Sequence, residues 1–290
     1  MVSDGKNTTC SITRRALIGQ GTRSLALLGA TPLLGSCMQG DSKPAAIDGA
    51  PLSLDTCAGD CSESCLPDGG LALAAQAILP KAIAGVRIPD SSVARAAAEL
   101  VRTVSSETLY NHCVRTYLFA ALSFAKSGTT FDEELVFIAS LLHDLGLVDA
   151  YMTDNERFEV DGADAAVSFL RQWGVPEAQL ETIWDAIALH TSIGIVSRKR
   201  PDIAAVSLGS GMDMGGIGLQ ELEQVKIDEV LRQLPRLGFK KEAVQTVLRI
   251  CERKPFSTVM TAFAEVGRRH NPLFLVPTLE DILLLAPFAE

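Results

Sequence analysis

A chain of 290 residues with 47% hydrophobic and 21% charged side chains has enough apolar matter for one large packed domain or two modest ones. Its net charge of −9 repels a phosphate backbone at long range, which excludes nucleic acid as an expected partner and leaves a small neutral molecule open.

The first 37 residues differ from the rest. Thr13-Arg14-Arg15-Ala16-Leu17-Ile18 sets two arginines before an apolar stretch, which continues through Leu25-Ala26-Leu27-Leu28 and closes on Leu34-Gly35-Ser36-Cys37. A charged start, an apolar middle and a small-residue end make an export signal, here of the twin-arginine kind that carries folded proteins. Cys37 ends a lipobox-like run and is the candidate for lipidation, with Gly35 as a departure from the usual pattern. The expectation is an exported chain, periplasmic or held to a membrane only through a lipid on Cys37. The alternative is a disordered extension on a cytoplasmic protein. Arg23 and Pro32 break the apolar run, and no stretch reaches the ~18 apolar residues of a membrane span.

Residues 38–70 read as a linker between the breaker clusters Gly40-Asp41-Ser42-Lys43-Pro44 and Pro67-Asp68-Gly69-Gly70. Cys57, Cys61 and Cys65 are spaced four apart, with no CxxC pair or histidine among them, so they read as structural or incidental rather than as a metal site. Cys113 and Cys251 fall in apolar helical patterns and read as small core residues.

From residue 71 to 290 the apolar spacing is helical, and the expected fold class is all-α. Val93, Ala96, Ala97, Leu100, Val101 and Val104 mark a first helix. A second begins at Ser105 or Ser106 as cap, runs through Leu109, Cys113, Tyr117 and Phe124, and stops at Gly128. Asp132-Glu133-Glu134 opens a third, with Gly146 past its end. Asp161 reads as the cap of a fourth, which stops at Gly174. Pro176 sits at the first turn of a fifth that extends to about Thr191. A sixth covers about Asp202 to Asp213, and two or three more fill Lys240 to Pro287. No alternating strand and no hairpin dipeptide stands between apolar runs.

Four histidines allow each to be weighed. His270, in Arg268-Arg269-His270, reads as a cationic helix terminus facing solvent. His143-Asp144 follows a Leu-Leu run, where a carboxylate is costly to bury unless paired or bound to metal. One His and one Asp do not make a site. His112 on the second helix and Asp213 at an uncharged helix end would complete a two-nitrogen, two-oxygen set suited to Zn, Fe or Mn. The alternative makes His143 a hydrogen-bonded core residue and the two aspartates turn and loop carboxylates.

The order His, His-Asp, distant Asp resembles the HD superfamily of metal-dependent hydrolases over about Leu100 to Met214. The phrases Leu109-Tyr110-Asn111-His112-Cys113-Val114-Arg115, Leu141-Leu142-His143-Asp144-Leu145-Gly146, Arg157-Phe158-Glu159-Val160-Asp161-Gly162-Ala163 and Trp184-Asp185-Ala186-Ile187-Ala188-Leu189-His190-Thr191 resemble its cyanamide hydratase-like branch. The resemblance implies an HD-type helical catalytic domain over 71–290. It also implies one divalent ion held by His112, His143, Asp144 and Asp213, with His190 beside it. His190, Asp144 and Glu159 are then the catalytic candidates, and Arg115 and Thr191 the substrate contacts. The implied reaction is attack by metal-activated water on a small molecule, a nitrile such as cyanamide among them.

Two other readings stand beside this one. An HD-type phosphohydrolase acting on a nucleotide or phosphoester would need cations over the leaving oxygens, for which Arg115 and Arg198-Lys199-Arg200 are candidates. A protein that binds metal or ligand without turnover is the third.

Overall fold

The computed structural model describes residues 79–288. The segments read as an export signal and a linker, with Cys37, Cys57, Cys61 and Cys65, lie outside the described residues. Within them the chain is helical apart from one tiny hairpin, in line with the expected class. That hairpin, β1 (Ala82–Ile83) and β2 (Val86–Arg87), was not expected from the sequence. Its two-residue turn needs positive φ at both positions. Ala84 supplies φ 51° and Gly85 φ 80°, so an Ala-Gly pair does what Asn-Gly usually signals. Tyr117 donates from its hydroxyl to the Arg87 carbonyl at 2.8 Å and holds the hairpin to the helices.

Helix α1 (Ser92–Val104) is capped by Ser91, whose hydroxyl accepts from the Ala94 N–H, and it buries Ala94, Ala97 and Val101. Helix α2 (Glu107–Ser127) starts at the cap Ser106 and ends at Gly128 with φ 69°, as expected. It is buried on nearly every side from Tyr110 to Leu122, which makes it the central rod of the domain. Asn111, His112, Arg115 and Thr116 are carried inside with it, so each must find a polar partner there.

Helix α3 (Glu133–Leu142), capped by Asp132, stops earlier than the pattern suggested. His143 ends it, and Asp144 leaves helical geometry at φ −105°, ψ 14° to enter a single 3-10 turn, Leu145–Leu147. Helix α4 (Phe158–Arg171) follows, then α5 (Glu177–Ala188) with Pro176 just before its first turn, and α6 (Pro201–Gly215). Helix α7 (Gln224–Gln233) was not expected. Helices α8 (Phe239–Arg253), α9 (Ala262–His270) and α10 (Leu279–Leu284) complete the chain. No helix among the described residues is long and apolar enough to cross a membrane. Cys113 and Cys251 are free and buried, as their patterns indicated.

Asp161 is not a helix cap; Arg157 occupies that position. Asp161 lies inside the first turn of α4, where it forms an ion pair with Lys254 and accepts from the backbone and hydroxyl of Thr153. Both side chains of the pair are essentially inaccessible, 0% for Lys254 and 1% for Asp161, so an exposed cap was the wrong environment for this carboxylate.

Two glycines set the spacing that matters for the site. A methyl on Gly209 of α6 would stand 1.8 Å from the Thr116 carbonyl oxygen of α2, so the two backbones touch there. One turn on, Asp213 of α6 meets His112 of α2. The pairs 209–116 and 213–112 fix α2 and α6 as antiparallel neighbours in a single register. A methyl on Gly146 would stand 1.9 Å from the Phe158 carbonyl oxygen, which seats the start of α4 directly on the turn after Asp144.

Candidate metal centre

His112 comes from the middle of α2, His143 from the end of α3, Asp144 from the turn that follows, and His190 from just past α5. They meet inside the bundle at 3%, 0%, 7% and 6% exposure, which leaves little water to satisfy them. The Asp144 carboxylate is the hub. Its Oδ2 lies 3.3 Å from His143 Nε2 and 3.5 Å from His112 Nε2, and its Oδ1 lies 3.9 Å from His190 Nε2. One ligand atom each from His112, His143 and Asp144 lies within 4.8 Å of the others, which makes these three a group able to hold a metal ion.

The other nitrogen of each ring is already committed. His143 Nδ1 contacts the Ser140 carbonyl at 2.8 Å, and His190 Nδ1 contacts the Ile187 carbonyl at 2.7 Å, both three residues back. His112 Nδ1 contacts Asp213 Oδ2 at 2.7 Å. Carbonyls and an ionised carboxylate only accept, so in each neutral imidazole Nδ1 carries the hydrogen and Nε2 a lone pair. His143 Nε2 is buried and makes no hydrogen bond at all. An orphaned lone pair of this kind, facing a carboxylate and a second imidazole, fits a cation.

Burial pushes the His143 imidazole down to about 3, helped by the neighbouring His112, and the His190 imidazole down to about 4, helped by His143. Both are therefore neutral, as metal ligands and proton acceptors must be. Burial raises Asp144 against the pull of His112 and His190. A cation beside it would favour the ionised form.

Asp213, expected as the fourth ligand, stands on the far side of His112 from this group. Its side chain is fully buried, with Oδ1 and Oδ2 both taken by Arg115 at 2.7 and 2.9 Å and Oδ1 also by Arg236 at 2.9 Å. Burial alone would raise it, but hydrogen bonds from His112 and Arg115 hold it well below the usual carboxylate range. In this position it orients His112 rather than joining the other ligand atoms.

Arg115, expected at the substrate, lies behind His112 against Asp213. It has no accessible surface, and its guanidinium is spent on Asp213 and on the Leu234 and Pro235 carbonyls. A buried carboxylate one helix away has first claim on a buried guanidinium.

Glu159 and Thr191 do come together. Arg157 Nη2 reaches Glu159 Oε1 at 2.5 Å, and the Thr191 hydroxyl donates to the same oxygen. Burial would raise Glu159, but the Arg157 and Thr191 bonds outweigh it and hold it down. All three line a cavity of about 240 Å³ together with Phe158, whose ring stands edge-on to His190 at 5.5 Å. Phe263 of α9 stacks on Phe158 at 4.8 Å, and Phe239 of α8 stacks on His112 at 4.8 Å. Phe239 and Arg236 could not be read from the sequence, because each lies far along the chain from the residue it meets, and the Ser140 and Ile187 carbonyls are backbone groups that no residue type marks. Arg157, two residues before Glu159, was within reach of inspection.

A family model for the HD domain matches residues 109–271, more than half of the chain. The chain belongs to the HD domain family, whose members are in general metal-dependent hydrolases. No curated protein matches it.

Proposed function

We propose that this chain is a metal-dependent hydrolase or hydratase of the cyanamide hydratase-like kind, acting on a small uncharged molecule such as a nitrile. His112, His143 and Asp144 would hold one divalent ion of Zn, Fe or Mn, with Asp213 fixing His112 from behind. The observation that carries this reading is the convergence of three Nε2 atoms on the Asp144 carboxylate. A bound ion of this type supplies Lewis acidity and makes water acidic near neutral pH.

The chain's own residues handle the protons and the substrate. His190 Nε2, neutral and unblocked, accepts a proton from the attacking water and returns one to the nitrile nitrogen as the C–O bond forms. Glu159, ionised and fixed by Arg157 and Thr191, contributes a negative charge that favours the transient imidazolium of His190. Phe158 and Phe263 wall the neighbouring cavity with apolar surface and limit water.

The phosphoester reading is weaker, because the cations that touch the metal group or line the cavity beside it are already neutralised, and Arg198, unpaired among the described residues, does not line that cavity. Arg115 and Arg236 serve Asp213, and Arg157 serves Glu159. A substrate phosphate would find no free guanidinium among these three.

The test is turnover by metal-replete protein of cyanamide and small nitriles, set against nucleoside monophosphates and a generic phosphodiester. The expected result is hydration of a nitrile, lost in His143→Ala. Phosphoester turnover lost in the same variant, with no nitrile activity, overturns the substrate. Stoichiometric metal with no turnover of either class leaves a binding protein and overturns the enzyme.

A further inference from the structure

Two exposed apolar surfaces of this chain have no cover among the described residues. The first rims the cavity beside Glu159. Ile195 and Met260 line that cavity at 64% and 69% exposure, and their neighbours Ile193 and Phe256 stand at 83% and 72%. The second is the segment that follows α9. Phe274 and Val276 are buried in a small cluster with Cys251 and Ala264, while Leu273 and Leu275 between them are more than four-fifths exposed. An extended stretch that is apolar on both faces is built to bury both. Helix α10 follows with no buried residue, although it and its flank carry Ile282, Leu283, Leu284 and Leu285. Six residues fall far below the ~12–15 that an isolated helix needs in water, and apolar surface of this extent marks a contact.

Charge says which surface meets which. Between residues 271 and 288 the chain has Glu280 and Asp281 and no Lys or Arg; Asp281 is taken by the Thr278 capping box, which leaves Glu280. The rim continues into Arg198, Lys199 and Arg200. Lys199 and Arg200 are paired with Asp185 and Asp202, whereas Arg198 has no ion pair among the described residues. An apolar arm with a free Glu280 and no cation between 271 and 288 suits an apolar rim with one unpaired arginine and does not suit an anionic lipid surface.

We propose that the arm of a second copy of this chain covers the rim. Its leucines would seat on Ile193, Ile195, Phe256 and Met260, and Glu280 would face Arg198. Each copy carries both halves, so a twofold exchange satisfies both surfaces at once and closes the assembly. The partner's arm then forms the outer wall of the cavity. This interface stands independently of the reaction proposed above, since it rests on exposure and charge outside the metal group.

The test is the mass of the full chain in solution by light scattering and sedimentation, with the variants Leu284→Glu and Ile195→Glu. The expected result is a dimer, weakened more than about tenfold in each variant, with helical content unchanged. Both positions face solvent in one copy, so loss of folding is not expected to confuse the outcome. A photoreactive side chain at position 284 should yield covalent dimers joined to the 192–200 or 256–261 peptides. A monomer at micromolar concentration, crosslinks confined to one chain, or vesicle binding by a monomer overturns the proposal.

Discussion

His112 is held from three sides at once: Asp213 on Nδ1, the ring of Phe239 on one face, and Asp144 opposite Nε2. Behind Asp213 stands Arg115, so the orientation of one imidazole depends on a guanidinium that never sees the site. Arg115→Met should cost roughly 3–5 kcal/mol in denaturant unfolding, because it strips a buried carboxylate of its strongest partner. A change below about 1 kcal/mol would mean that Arg236 and His112 suffice. The neutral imidazoles make a second prediction at this scale. His143 and His190 stay unprotonated in the fold down to about 3 and about 4, whereas unfolded imidazoles take protons below 6.5. The unfolded chain therefore binds the extra protons, and the metal-free protein keeps its full stability above pH 6.5 and loses it as the pH falls toward 4. One such imidazole is worth about 2 kcal/mol between pH 7 and pH 5. Urea unfolding of the chelated protein at those two values should show the loss, with a smaller one in His190→Gln. Equal stability at both would contradict the neutral assignment. His143-Asp144 and His112 were legible as residues from their motif. The pairing of Arg115 with Asp213 behind them was not, because it spans 98 positions and no local pattern announces it.

Helix α6 reaches α2 only because Gly209 has no side chain. Gly209→Ala drives a methyl into the Thr116 carbonyl and should cost about 1–3 kcal/mol. It should also weaken metal binding, since Asp213 is carried one turn further along the same contact. Gly211, two residues on, would bring a methyl no closer than 3.9 Å to Ile217. Gly211→Ala should be neutral or gain up to about 1 kcal/mol from helix propensity. Thermal melts of the two variants side by side check this, and equal destabilisation would sink the close-contact account. At this scale the sequence was most readable where the signal is local. Ser106 and Gly128 bracket α2 as cap and stop, and Asp132 caps α3. It was least readable where a distant partner decides. Asp161 sat in a helix's first turn and read as a cap, but Lys254, 93 residues on, takes it. Helix α7 escaped notice because it buries little beyond Ile227 and Val230, so its apolar stripe is thin.

The whole domain is assembled around a hole in its own hydrogen bonding. Three imidazoles and a carboxylate drawn from three separate segments meet in the interior, and folding alone leaves His143 Nε2 without a partner. A divalent ion should therefore act as a further structural element that ties them together. At one hundred times its dissociation constant it adds about 2.7 kcal/mol, or roughly 5–10 °C in melting temperature for a domain of this size. Chelation should remove that gain, and His143→Ala should be indifferent to both treatments in differential scanning calorimetry. A wild-type melt blind to added Zn, Fe and Mn would speak against the centre.

The contact between Gly209 and the Thr116 carbonyl also carries a message for comparison across chains. A histidine in the middle of a buried helix is ambiguous by itself, and an aspartate ten or a hundred residues away tells little more. The glycine is different, since a chain bearing any side chain at that position must part the two helices and cannot keep its aspartate against the histidine. In a distant relative, a glycine four places before the aspartate that meets the histidine is the better witness to an oriented ligand than the ligand's own letter.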